Sequence, residues 1–259
     1  MQRFVSGIAV LLSLALPAIS PNTARALGVF EDAPGEAGFL FARHETSVAA
    51  TFHRTSGPGD DASVFALAAY FPVRRGVLVQ VEQPFIAVAR PSDIESAFGD
   101  LTARARVHLL GANGRALSLL GCLRAGTGTA RLYPYSSQSY DMQFGVGYVD
   151  SLRVVHVWTM AEGIVTKRVP KKVTDDTRHE DFARLAAGLT LPLGRALAVR
   201  GGGTALLYRS GGRRALVFAE FQYDYTSAIE ILVSGQAETL DSARRVSDYV
   251  LTAGIRTYF

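Results

Sequence analysis

The feature that most narrows the possible folds is a period of two. From Leu101 to Leu109, the residues Leu101, Ala103, Ala105, Val107 and Leu109 fall on one face, and Thr102, Arg104, Arg106 and His108 on the other. Successive side chains of a strand point to opposite faces, so this strand is apolar on one side and cationic on the other. Met142, Phe144, Val146 and Tyr148 oppose Gln143, Gly145 and Gly147 in the same way. Near the C-terminus, Ala215, Val217, Ala219, Phe221 and Tyr223 oppose Glu220 and Gln222, and Ile229, Ile231 and Val233 oppose Glu230 and Ser234. A barrel wall needs this alternation, because every second side chain meets lipid while the others meet a watery lumen. A soluble β-sandwich is the alternative, but arginines on one face and lipid-like residues on the other argue against it.

The pattern places strands at 38–53, 62–71, 76–85, 100–109, 116–125, 140–149, 153–162, 180–191, 195–208, 213–223, 226–236 and 247–258. The expected fold is all-β: a transmembrane antiparallel up-and-down barrel of about twelve strands. Connections are short at Pro72 to Arg75, Gly111 to Arg115, Asp150 to Leu152, Pro192 to Gly194 and Asp224 to Tyr225. Longer loops at 86–99, 126–139 and 163–179 fall on the opposite end, although Ser210 to Gly212 is short and breaks the trend. An even strand number puts both termini on the periplasmic side, where Asn113-Gly114 makes a favoured hairpin turn.

Met1 to Ala26 carries Arg3, an apolar run from Phe4 to Ile19, and Ala24-Arg25-Ala26. This is the order of a cleaved secretory signal, leaving 27–259 as the barrel domain. No later stretch approaches the roughly 20 apolar residues of a membrane-crossing helix. The 48% hydrophobic content, 25 glycines and 19% charged residues fit either a soluble all-β protein or a barrel. The single cysteine, Cys122, forms no intramolecular disulfide. A net charge of +4 without a basic helix or aromatic-basic repeat does not indicate nucleic acid; outer-membrane lipid with anionic headgroups is the plainer partner.

The last strand ends at Phe259, and counting back in twos gives Thr257, Ile255, Ala253, Leu251 and Tyr249. This resembles the terminal signal by which the barrel-assembly machinery recognises outer-membrane barrels, which implies assembly residues at Tyr249, Leu251, Ile255 and Phe259 in an exported protein of a Gram-negative outer membrane. The segments Ala69-Tyr70-Phe71-Pro72-Val73-Arg74-Arg75-Gly76 and Val77-Leu78-Val79-Gln80-Val81-Glu82-Gln83-Pro84-Phe85 resemble the strand, turn and strand of the MetA-pathway of phenol degradation family. Phe98-Gly99-Asp100-Leu101 is similar to that family's Gly-Asp-Leu motif. Gly126-Thr127-Gly128-Thr129 and a tyrosine-rich loop stand where members usually carry a glycine-rich strand pair. The resemblance implies an outer-membrane channel for small organic compounds, porin-like and without its own catalysis.

If the polar faces point inward, Glu82, Arg104, Arg106 and His108 line the lumen, with Glu220, Glu230 and Arg256 from the C-terminal half and Arg43 and Glu45 from the first strand. Such charges line a selective pore or pair across the lumen and close it. Channel and plugged structural barrel therefore both stand. A barrel-borne surface enzyme would draw on His179-Glu180-Asp181 with Asp175 and Asp176, but no ligand spacing recurs there, and a solvated loop is the plainer reading. No metal or cofactor is expected. Lys167, Arg168, Lys171, Lys172 and Arg178 make one outside loop basic, suited to lipopolysaccharide phosphates or simply to water. Tyr133, Tyr135, Tyr140 and Trp158 are candidates for the interfacial aromatic girdle. Gly201-Gly202-Gly203 reads as a bend in a strand.

Overall fold

The computed structural model describes residues 33–56, 61–90, 93–112, 114–129, 132, 140–167, 181–209, 211–241 and 249–259. The expected signal segment and most of the basic loop lie outside these residues, as do Tyr133, Tyr135, Asp175, Asp176, His179 and Glu180. A short helix, α1 (Ala33–Phe41), precedes β1 (Ser47–Ser56), β2 (Asp61–Arg74), β3 (Val77–Arg90), β4 (Asp93–Phe98) and β5 (Leu101–Ala112). Next come β6 (Arg115–Ala125), β7 (Tyr140–Leu152), β8 (Val155–Lys167) and β9 (Phe182–Leu193). The chain closes with β10 (Leu197–Tyr208), β11 (Arg213–Thr226), β12 (Ile229–Asp241) and β13 (Tyr249–Tyr258).

Apart from β4 and β5, each strand pairs antiparallel with its sequence neighbours, and β1 joins β13 from Ser47 opposite Tyr258 to Ser56 opposite Tyr249. The sheet therefore closes on itself, as a membrane-spanning sheet must to satisfy its backbone. β3 pairs with β5 over Val77–Glu82 and with β4 over Phe85–Arg90. β4 and β5 thus share one place in the wall, and thirteen segments make a twelve-strand barrel.

The break has a local cause. Pro84 has no N–H to give the ladder, and the Gly99 N–H turns to the Pro84 carbonyl at 2.9 Å. The Gln83 amide donates to the Gly99 carbonyl at 3.0 Å. Across this irregularity the inward parity changes from Ala97, packed on the Ile86 and Val88 cluster, to Asp100 and Thr102, which are buried. The loop expected at 86–99 is therefore wall: β3 runs on to Arg90 and β4 follows. β8 likewise runs to Lys167, beyond the expected start of the next loop.

All five short connections fall at one end, called here the turn end. Gly114 there has φ of 80°, and a Cβ would sit 3.0 Å from Ser151 Cβ, so the glycine of the expected Asn-Gly turn is required twice over. The chain's last residue is tied to the same end, with the Phe259 N–H donating to the Thr46 carbonyl at 3.0 Å. Outside the wall stand large apolar side chains such as Phe52, Leu67, Leu123, Phe144, Leu185 and Leu251, each between 46% and 59% exposed. A continuous apolar band around a closed barrel belongs in lipid.

Candidate functional site: a helix inside the lumen

Residues 38–53 were expected as the first strand; the structure corrects this. Ala33–Phe41 is helical and lies inside the barrel, and only Ser47–Ser56 enters the wall. A nine-residue helix with two glycines is marginal in water, so packing must hold it. Phe39 and Ala42 are buried with Ala49, Ala68, Tyr70 and Leu78. Ala37 and Leu40 are buried with Leu120, Trp158, Met160, Ala186 and Phe218. The helix thus reaches across the lumen from the β1–β3 wall to the β6–β11 wall.

Polar contacts fix its C-terminal end. Arg106, 2% exposed, donates to the carbonyls of Phe39 at 2.7 Å, Leu40 at 2.5 Å and Ala42 at 2.7 Å. The last carbonyls of a helix lack partners within it and carry partial negative charge. One buried guanidinium supplies both needs. Arg200 lies 4.6 Å from the Phe41 ring centroid, a cation–π contact. Each buried apolar side chain contributes about 2 kcal/mol and each charged hydrogen bond about 2 kcal/mol. Ordering ten residues costs roughly 10–15 kcal/mol, which is of the same size. Burial and the clamp together are what hold the helix against that cost.

Paired charges occupy much of the remaining lumen. Arg256 meets Glu230 at 3.0 Å and the Tyr70 hydroxyl at 3.0 Å, while Tyr258 donates to Glu230 at 2.8 Å. Arg184 meets Glu162 at 2.6 Å, and Gln143 donates to the same carboxylate at 2.6 Å. Arg200 pairs with Glu220 and Arg124 with Asp141; Arg214 holds Glu238 by two bonds, at 3.0 and 2.9 Å. Gln80 donates to Glu82 at 2.9 Å. Toward the opposite end, Leu132 is buried with Ala62, Ile86, Val88 and Val250, and the Gly128 N–H donates to Asp100 at 2.9 Å. Part of the connection after β6 therefore also covers the lumen.

Of the residues expected to line the lumen, Glu82, Arg104, Arg106, His108, Glu220, Glu230 and Arg256 all occupy inward-facing strand positions. Arg43 and Glu45 do not, because they lie between α1 and β1. Arg43 sits at the turn end, 2.6 Å from Asp224, and Glu45 is exposed. Trp158, expected in the girdle, is instead fully buried in the lumen against Leu40's cluster. Gly202 faces its ring, where a Cβ would come within 2.9 Å of Cζ2. The triple glycine is thus regular strand that makes room for an indole rather than a bend. Tyr140, Tyr249, Leu251, Ile255 and Phe259 are exposed. Asp181 accepts from the Thr166 N–H at 3.0 Å, joining two adjacent strands. The partner arginines Arg124, Arg184, Arg200 and Arg214 escaped the sequence reading, although each occupies the polar parity of its strand.

A cavity of about 550 Å³ remains at the turn end, between α1 and the β5–β7 wall. Leu40 and Phe41 line it on one side, and Arg106, His108, Ser118 and Val149 on the other. Ser118 and His108 Nδ1 are 2.8 Å apart.

No family model matches the chain, and no curated protein matches it in sequence. The MetA-pathway resemblance therefore has no such match behind it. Solved structures do share the fold. The COG4313 outer-membrane channel from Pseudomonas putida F1 superposes with a TM-score of 0.63 at 12% identity, over 93% of this chain and 100% of that one. The KdgM porin in complex with disordered oligogalacturonate gives 0.57 at 7% identity, over 82% and 99%. The translocator domain of the autotransporter NalP from Neisseria meningitidis gives 0.57 at 10% identity, over 86% and 92%. At these identities the likeness is one of fold: this chain is an all-β, twelve-strand antiparallel barrel of the outer-membrane type.

Proposed function

We propose that the chain is a passive outer-membrane channel for small organic solutes, aromatic or hydrophobic in character, kept shut by its own N-terminal helix. One observation carries the reading: α1 lies across the lumen with Ala37, Phe39 and Leu40 no more than 4% exposed. Two features support a movable helix over a permanent filling. Among the described residues α1 is linked to the wall through 42–46, and the burial that seats it is of the same order as the cost of ordering it. The channel and porin barrels that share the fold support the class. In this reading the protein is exported by its signal segment to the outer membrane of a Gram-negative bacterium. The assembly machinery recognises its last strand there, and the loop end faces lipopolysaccharide.

A structural barrel with no transport role is favoured by one specific feature, the arginine–carboxylate pairs that fill the lumen around α1. Liposome swelling separates the two. Proteoliposomes carrying the mature chain should swell slowly in small organic solutes, and those carrying a chain without residues 33–42 should swell several-fold faster. Equal slow rates from both, with the barrel folded, would assign the structural role.

A further inference from the structure

Arg106 differs from five of the lumen arginines described above. Arg124, Arg184, Arg200, Arg214 and Arg256 each lie against a carboxylate, whereas Arg106 is held by three main-chain carbonyls of the helix segment. A guanidinium has five N–H donors. With three engaged, two remain, and one of them, Nε, is buried with no partner.

The same side chain forms part of the wall of the turn-end cavity, whose volume of about 550 Å³ is in the range of small-molecule sites, roughly 300–1,000 Å³. His108 stands beside it, its ring oriented through Nδ1 by Ser118. Arg115 stands at the rim, 3.2 Å from Asp150. Leu40, Phe41 and Val149 supply apolar wall, and no Asp or Glu side chain lines the cavity among the described residues. Cationic and donor groups on one side and apolar surface on the other match a ligand with one carboxylate and a short apolar body.

We propose that this cavity binds a small organic carboxylate, and that binding there loosens α1. The carboxylate would take the spare donors of Arg106 beside His108, with its apolar body against Leu40, Phe41 and Val149. A carboxylate brings a full negative charge to the guanidinium where a main-chain carbonyl brings only a partial one, so the ligand competes with Phe39, Leu40 and Ala42 for the same side chain. Because Leu40 and Phe41 of α1 form part of the wall and the Arg106 donors are held by the helix end, full engagement requires the helix to shift. A ligand that prefers the shifted state moves the equilibrium toward it. This rests on the plugged-channel reading.

The test uses the refolded mature chain, Leu27 to Phe259, in detergent at fixed pH and ionic strength. Sodium hexanoate is the probe and hexanamide its neutral counterpart of like shape. Trp158 is the chain's single tryptophan and packs in the same cluster as Leu40, so its emission reports on the helix. Hexanoate should shift that emission saturably, at a concentration at least tenfold below hexanamide. Arg106→Gln and His108→Gln should each weaken the response at least tenfold; the second keeps the clamp on α1 and so stands if the first disturbs docking. Equal responses to the two probes, or an unaltered hexanoate response in His108→Gln, would overturn the site. The current through a chain lacking residues 33–42 separates the two readings. A gain in current without hexanoate preference keeps the plug and rejects the site. Hexanoate preference without a gain keeps the site and rejects the channel.

Discussion

Leu40 of α1 lies so close to Gly147 of β7 that a Cβ on the glycine would sit 2.7 Å from Leu40 Cδ1. The contact is with the far end of a flexible side chain, so Gly147→Ala should be absorbed by rotation of Leu40. Gly147→Leu claims the volume Leu40 fills, and such overpacking costs about 1–3 kcal/mol, as much as burying the leucine contributes. In planar bilayers, Gly147→Leu should raise the ion current several-fold, and Gly147→Ala should leave it near the wild-type value. A folded Gly147→Leu barrel as closed as wild type would show that helix and wall do not compete there.

Arg106→Gln removes the clamp from three carbonyls, and each lost charged bond is worth about 1.5–3 kcal/mol. With the helix end released from its only named polar clamp, the helix should leave its seat for much of the time. Acrylamide should then quench Trp158 several-fold more efficiently than in wild type. Arg106→Lys should fall between the two, since an ammonium cannot present the guanidinium's fixed fork. Quenching unchanged in both variants would show that the apolar contacts suffice.

The pair of Arg184 and Glu162 is almost wholly buried. Arg184→Ala leaves a carboxylate in the lumen wall with Gln143 as its remaining partner among those named here, and breaking a buried pair costs about 3–5 kcal/mol. The temperature at which the heat-modifiable band is lost on gels should drop clearly. Replacing both residues, Arg184→Met with Glu162→Leu, should restore most of the loss. A double variant no better than the single would mean that the pair holds more than its own charges.

Deleting Phe259 removes the exposed terminal ring and the N–H that ties the chain end to Thr46. If the terminal pattern is the assembly signal, the fraction folded by barrel-assembly machinery in proteoliposomes should fall several-fold, while spontaneous refolding in detergent changes little. Equal assembly of both chains would locate the signal elsewhere.

The wall was readable in the sequence because parity is a local property. Met142 to Tyr148 and Ala215 to Tyr223 show their outer faces without reference to any neighbour. The helix was not. Gly35, Gly38 and Pro34 give Ala33–Phe41 poor helix propensity, and Leu40 and Ala42 fall on the same parity as Val48, Ala50 and Phe52 of the following strand. Its partners, from Ala49 to Phe218, are brought together only by barrel closure, and the Arg106 clamp spans 67 residues to Phe39. The β4–β5 break was half legible. Pro84 and Gly99-Asp100 marked a discontinuity, but the sequence reading took it for a loop, because the change of inward parity depends on how both halves pair with β3. Trp158 was misplaced for a similar reason: the space for its ring is made by Gly188 and Gly202 on two other strands.

The most direct test of the central claim is single-channel recording from the mature chain and from the same chain without residues 33–42, each confirmed as a folded, heat-modifiable barrel. The plugged-channel account predicts rare or no openings from the first and stable, larger steps from the second. Equal conductance from both, whether open or silent, would contradict it.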